Sequence, residues 1–204
     1  MASKVDYDVG VFINCPYDTS YKPLLDAVAF AVHDCGFVVR IALEDAGTGQ
    51  VRLDKIREII AQCRYSIHDL SLPNKPRLNM AFETGLFFGA KLFGSAKQRQ
   101  KDLLVLDSVP HRYKETLSDI AGQDAAIHGD DPVKAIDCVR TFLVRKAGKD
   151  GFRGGAEIAK RYAEFNKVKP KLAREAKITT AELNSLDYFK DLLDMMTAWQ
   201  ALYP

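Results

Sequence analysis

The chain has no paired cysteines. Its four cysteines, Cys15, Cys35, Cys63 and Cys138, are scattered without Cys-x-x-Cys spacing. Neither a zinc site nor a disulfide framework is indicated. They read as reduced, mostly buried thiols of a cytoplasmic protein, with Cys15 set apart by its place at the end of a predicted strand. An excess of one charge is also missing. Lys and Arg number 29 against 27 Asp and Glu, for a net charge of +2. That balance makes no electrostatic case for nucleic acid or an anionic membrane as a partner. No apolar run reaches the length of a membrane span. The opening MASKVDYDVGVFINC is not read as a signal peptide, because its apolar run is short and preceded by acids. Internal repeats and low-complexity segments are absent.

What is present is an ordinary globular composition of 204 residues, 47% hydrophobic and 27% charged. That length suits one core, or a core with a small extension. Residues 9–15 (VGVFINC), 37–43 (FVVRIAL), 65–71 (YSIHDLS), 101–108 (KDLLVLDS) and 125–129 (AAIHG) read as strands. Between them lie helical patterns at 23–36, 52–63, from Asn79 onward, and at 113–122, with another at 130–148. Asn79 serves as the expected N-cap of the third helix. Strands alternating with helices predict an α/β fold: a doubly wound, five-stranded parallel sheet of flavodoxin-like type. Residues 1–148 form this domain. After a linker at 149–155, residues 149–204 form a C-terminal helical extension with helices at 155–168 and 179–203. The last opens with a Thr179-x-x-Glu182 capping box. Its Leu, Met, Phe and Trp residues suit either an assembly surface or plain core.

Open parallel sheets bind ligands outside the carboxyl ends of their strands. That rule selects Asn14, Pro16, Tyr17 and Asp18 after the first strand, and Asp45 in the glycine-containing loop 44–50 after the second. It also selects Asp69 and Ser71 after the third strand, and the start of the helix that follows. Asp18 reads equally well as a cap for the next helix, and His68 as a plain strand residue.

Glu83 is the sharpest candidate. It interrupts RLNMAFETGLFFGAKLFG (77–94), which is otherwise apolar or small apart from its ends. A buried carboxylate costs several kcal/mol unless it is paired or hydrogen-bonded, or its pKa rises. The bland reading pairs it with an arginine such as Arg77, or with the positive helix end. Gly85 and Gly89 lie in the same helix, each disfavoured by about 1 kcal/mol relative to Ala. They suit a close approach by a ligand, or simple helix–sheet packing.

The run Asp69-Leu70-Ser71, a short loop, Asn79, then Glu83-x-Gly85-x-x-x-Gly89-x-Lys91 resembles the active-site stretch of the nucleoside 2-deoxyribosyltransferases. The same strand-to-helix arrangement resembles the TIR and TIR-like nucleotide-binding domains. The first strand and loop, VFINCPYDTSY (11–21), resemble the start of the same superfamily, and the likeness spans about residues 8–110. The resemblance implies that Glu83 attacks or stabilises the anomeric carbon of a ribose, with Asp69 in support. Asn14, Pro16, Tyr17, Asp18, Asp45, Ser71 and Asn79 then become substrate-binding candidates. Thr84 stands where the transferases commonly have Leu, and Trp199, the only tryptophan, is far from Glu83 in sequence. The substrate therefore stays open between a nucleoside, a nucleotide and NAD. No cofactor or metal is implied, since NAD or the nucleotide enters as substrate. The resemblance also implies a homo-oligomer, and a role as a bacterial effector in phage defence. The alternative is a non-catalytic TIR-like module that binds a nucleotide or pairs with its own kind.

Overall fold

A computed structural model of the chain describes residues 6–43, 51–71, 78–115, 117–118, 124–148 and 150–204. Five short strands form one sheet: β1 (Gly10–Asn14), β2 (Val38–Ile41), β3 (Tyr65–Asp69), β4 (Asp102–Asp107) and β5 (Ala126–Ile127). All pairings are parallel, in the order β2-β1-β3-β4-β5. With the intervening helices this is the α/β, flavodoxin-like arrangement expected from the alternating pattern. Every residue of β1 and β3 is buried, as at the centre of a parallel sheet, although β3 includes the polar residues Ser66, His68 and Asp69. The chain leaves β1 for β2 on one side and returns to β3 on the other. The carboxyl ends of β1 and β3 therefore flank the topological switch point.

Two compact units are present. The first comprises Met1–Pro16 and Phe37–Asp130. It contains the sheet with α2 (Arg52–Gln62) and α3 (Leu78–Phe93). Phe12, Ile56, Ile59, Ile60, Met80 and Phe87 meet in its core. Beside them Lys101 is wholly buried. Its ammonium donates to the carbonyls of Ile60 (2.6 Å) and Cys63, at the end of α2, and sits over the Phe87 ring at 4.5 Å. Carbonyls at a helix end and an aromatic face thus replace its hydration. Burial still pulls its pKa down to about 8.

The second unit comprises Tyr17–Gly36 and Asp131–Pro204. It contains α1 (Lys22–Asp34), α4 (Pro132–Ala147), α5 (Gly155–Glu175), α6 (Thr180–Leu183) and α7 (Phe189–Leu202). The division between the units falls at Asp131, and at both ends of the α1 segment, rather than at the 148/149 linker read from the sequence. The reason lies in α1, whose apolar residues pack against α4, α5 and α7. Phe30, Phe165 and Trp199 stack within 5.8 Å of one another. Arg161 lies over Trp199 and donates to Asp34 at 2.8 Å. The apolar residues Leu183, Phe189, Leu192, Leu193, Met196 and Trp199 are buried in this unit, which is the plain-core reading of the C-terminal helices.

Several boundaries differ from the sequence reading. α4 begins and ends as expected, with the Asp131 side chain accepting from Val133 N and Gly148 in the left-handed region at φ 59°. α5 runs on to Glu175, with Pro170 inside it. The segment 179–203 is not one helix. The Thr179–Glu182 capping box opens only the short α6, and a 3-10 turn at Leu186–Tyr188 separates it from α7. Ser185 bonds the Asp187 backbone and begins that turn. Where a helix was expected over 113–122, the described part is a 3-10 turn at Arg112–Glu115. Among the described residues, no helix is long and apolar enough to cross a membrane.

Candidate functional site

β1 and β3 run side by side, with Asn14 in register with His68. Asn14 is buried, and its amide donates to the Met80 carbonyl at 2.9 Å and contacts His68 Nδ1 at 3.1 Å. His68 is fully buried, with Nε2 2.8 Å from Ser66 Oγ. Burial pushes its pKa down to about 3, so the ring is neutral. Its Nδ1 accepts from Asn14 and its Nε2–H donates to Ser66. His68 is therefore a strand-bridging group with no proton to offer at neutral pH. Asn14 is a tie between β1, β3 and α3.

α3 already includes Leu78, so Asn79 stands exposed inside the first turn and is not the cap expected of it. One turn on, the Met80 carbonyl also accepts from Thr84 Oγ1 at 2.7 Å. Glu83 sits in this pinned turn and is only 4% exposed. Its Oε1 is 4.0 Å from Arg52 Nη2, while Arg52 itself is 61% exposed at the start of α2. Its Oε2 has no hydrogen-bond partner among the described residues. Burial raises its pKa and the Arg52 charge opposes the rise, with a net upward shift. Arg52 thus takes the pairing role expected of Arg77, which lies outside the described residues.

Asp69 is held quite differently. Its Oδ1 accepts from Ser71 N at 2.8 Å, and its Oδ2 lies 3.0 Å from His128 Nε2. His128 Nε2 is also 3.0 Å from Ser71 Oγ, and its Nδ1 accepts from Asp130 N at 3.0 Å. All three side chains are buried. Burial pulls the His128 pKa down, but the hydrogen bond and charge of Asp69 outweigh it and the net shift is upward. Both oxygens of Asp69 are occupied, whereas among the described residues Glu83 has only the 4.0 Å ionic contact to Arg52.

Of the residues read from the sequence, Asp69 and Ser71 share one network, and Asn14 is tied to the turn that precedes Glu83. Glu83 makes no bond to Asp69. Pro16 is buried at the end of its segment, while Tyr17 and Asp18 are half-buried and belong to the second unit. The Asp18 carbonyl accepts from Tyr21 N and Lys22 N at 3.1 Å and so opens α1 through its backbone. Asp45 lies outside the described residues. The sequence reading missed His128 and Arg52. The strand-end rule that selected Asp69 applies equally to His128, which directly follows β5.

The second unit contains a cavity of about 550 Å³, lined by Lys22, Asp26, Tyr162, Asn166 and Lys169 among others. Lys22 and Asp26 are both buried and paired at 2.8 Å. None of the residues selected from the sequence lines it. Among the described residues, no group of three or more His, Cys, Asp and Glu is placed to hold a metal ion. No protein-family model matches the chain, nor does any curated protein sequence.

Proposed function

We propose that the chain cleaves the N-glycosidic bond of NAD or a related nucleotide or nucleoside, with Glu83 acting at ribose C1′. The observation that supports this is the state of Glu83, a buried carboxyl beside the β1/β3 switch point with one oxygen lacking a hydrogen-bond partner among the described residues. Structural carboxylates are usually saturated with hydrogen bonds, and a buried one short of them with a raised pKa marks a candidate functional group.

The chemistry follows from the bond. As the C1′–N bond breaks, its electron pair leaves with the base and the ribose becomes an oxocarbenium ion. A desolvated carboxylate at C1′ stabilises that cation or bonds to it, and water then completes hydrolysis. A leaving nicotinamide discharges its own positive charge and needs no proton donor, which fits a neutral, buried His68. Asn14 and the Asp69–His128–Ser71 network act as scaffold, holding the strand ends and the α3 turn. The occupied state of that network favours a second reading, a nucleotide-binding module without turnover.

The test is to incubate concentrated protein with NAD, deoxynucleosides and nucleotides, and to follow base release by chromatography. Release that disappears in Glu83→Gln supports the glycosidase and names its substrate. If no base is released, but one of these ligands raises the melting temperature of the wild type and of Glu83→Gln alike, the binding module replaces it.

A further inference from the structure

α3 carries two opposite faces. Met80, Glu83, Thr84 and Phe87 point inward and are buried. The helix has two charged residues, Glu83 and Lys91. At 100° per residue both fall on the inward side, where Lys91 pairs with Asp102 at 3.1 Å. The outward side has no charge and is apolar. Leu78 is 72% exposed, Phe82 55%, Leu92 60% and Phe93 87%. Gly85 and Gly89 lie on the same side. Among the described residues, nothing comes within 4 Å of where a Cβ would stand on either. The packing among the described residues therefore gives no reason for glycine at these two positions.

We propose that the outer face of α3 seats the same face of a second copy of the chain, the two helices crossing antiparallel about a two-fold axis between Gly85 and Gly89. The spacing is self-complementary. Phe82 precedes Gly85 by three residues, and Leu92 follows Gly89 by three. Turned end for end, Gly85 of one copy meets Gly89 of the other, and Phe82 meets Leu92. Absent side chains at the crossing let the backbones close, while large ones at each end bury against their counterparts. Such isologous pairing needs one patch, complementary to itself. A face without charge meets its own copy without repulsion.

The area meets the lower limit for this occupant, about 1,000 Å² over both copies, and suits a small interface rather than a standard one. The four exposed side chains offer on the order of 500 Å² per copy. A standard interface buries about 800 Å² per partner, with an apolar centre and a more polar rim. The half-exposed Ala81 and the glycine backbones extend the contact. The inference stands independently of the chemistry assigned to Glu83.

Sedimentation equilibrium of the full chain at increasing concentration tests it. The wild type is expected to reach twice the monomer mass at micromolar concentration. Phe82→Asp with Phe93→Asp is expected to weaken dimerisation by at least about 100-fold, with unchanged circular dichroism. Gly85→Gln with Gly89→Gln separates the interface from the fold. It removes two helix-weakening glycines and so raises the melting temperature of the monomer, while wedging the crossing apart and abolishing the dimer. A wild type that stays monomeric to about 100 μM overturns the proposal. So does a dimer that survives both double variants. Binding of a monomeric chain to neutral phosphatidylcholine vesicles, lost in Phe82→Asp with Phe93→Asp, also overturns it and assigns the face to lipid.

Discussion

Glu83 Oε1 and Arg52 Nη2 stand 4.0 Å apart, with the acid buried and the base largely in solvent. The pair is unequal. Arg52 keeps most of its hydration and loses little if the contact breaks. Glu83 has given up its water and, among the described residues, receives only a screened, longer-range attraction in return. Three expectations concern this pair and the network around Asp69.

Glu83→Gln is expected to stabilise the fold while abolishing base release. The folded-state pKa of Glu83 is raised above its ordinary value of 4.5. The folded state therefore keeps a proton where the unfolded chain has lost it. The stability linked to that proton is present at low pH and is lost as pH rises through the raised value. At pH 7 the variant escapes that loss. We expect a gain of about 1 kcal/mol, or about 2–4 °C in melting temperature for a chain of this size. Below about pH 4, thermal melts of the two proteins should coincide. A variant less stable than wild type at pH 7 would show that the Glu83 carboxylate is paired beyond Arg52.

Arg52→Gln is expected to move the acid limb of the pH–activity profile to higher pH. The guanidinium opposes the burial-driven rise of the Glu83 pKa, so its removal leaves more of Glu83 protonated at a given pH. The exposure of Arg52 makes the effect small and salt-sensitive, well under one pH unit at physiological ionic strength. The check is base release measured across pH at two salt concentrations. An acid limb that stays in place in the variant would remove Arg52 from the site.

His128→Asn is expected to cost about 3 kcal/mol at neutral pH, because it leaves Asp69 buried without its principal donor. The raised pKa of His128 gives this contribution a direction, because the attraction to Asp69 gained on protonation outweighs the bond from Asp130 N that a protonated Nδ1 gives up. It is fully present below the unfolded value near 6.5 and is lost as pH rises through the folded value. Urea denaturation at pH 6 and pH 9 should show a larger gap between wild type and variant at the lower pH. An equal gap would mean that His128 acts as a neutral donor throughout.

The fold was legible in the sequence because its two periods are cleanly separated. VGVFI has no helical face, and PLLDAVAFAV has one. The five strands and the first four major helices follow from that contrast. Local chemistry at helix ends was legible where it repeats a simple motif, as at Asp131 and Thr179. Asn79 misled because a good capping residue tolerates the first turn of a helix as well as its cap. The helix read over 155–168 runs on through Pro170 to Glu175, since the packing of a long amphipathic helix outweighs the backbone bond a proline gives up. At the site, Glu83 stood out as an acid among apolar neighbours. Arg52 and His128 did not, since each acquires its role only when distant strand and helix ends meet. Nothing at positions 52 or 128 records locally that residues 83 and 69 will lie alongside.

The bond from Asn14 to the Met80 carbonyl spans 66 positions of the chain. No local turn or hairpin can make such a contact, and closing so long a loop must precede any gain from it. Thr84 holds the same carbonyl from within the helix. The turn before Glu83 is therefore pinned from outside its helix only once the end of the first strand has met it. A nascent chain that has not yet extruded residue 80 cannot make this tie, so under the proposed chemistry the carboxylate is withheld until its scaffold is in place.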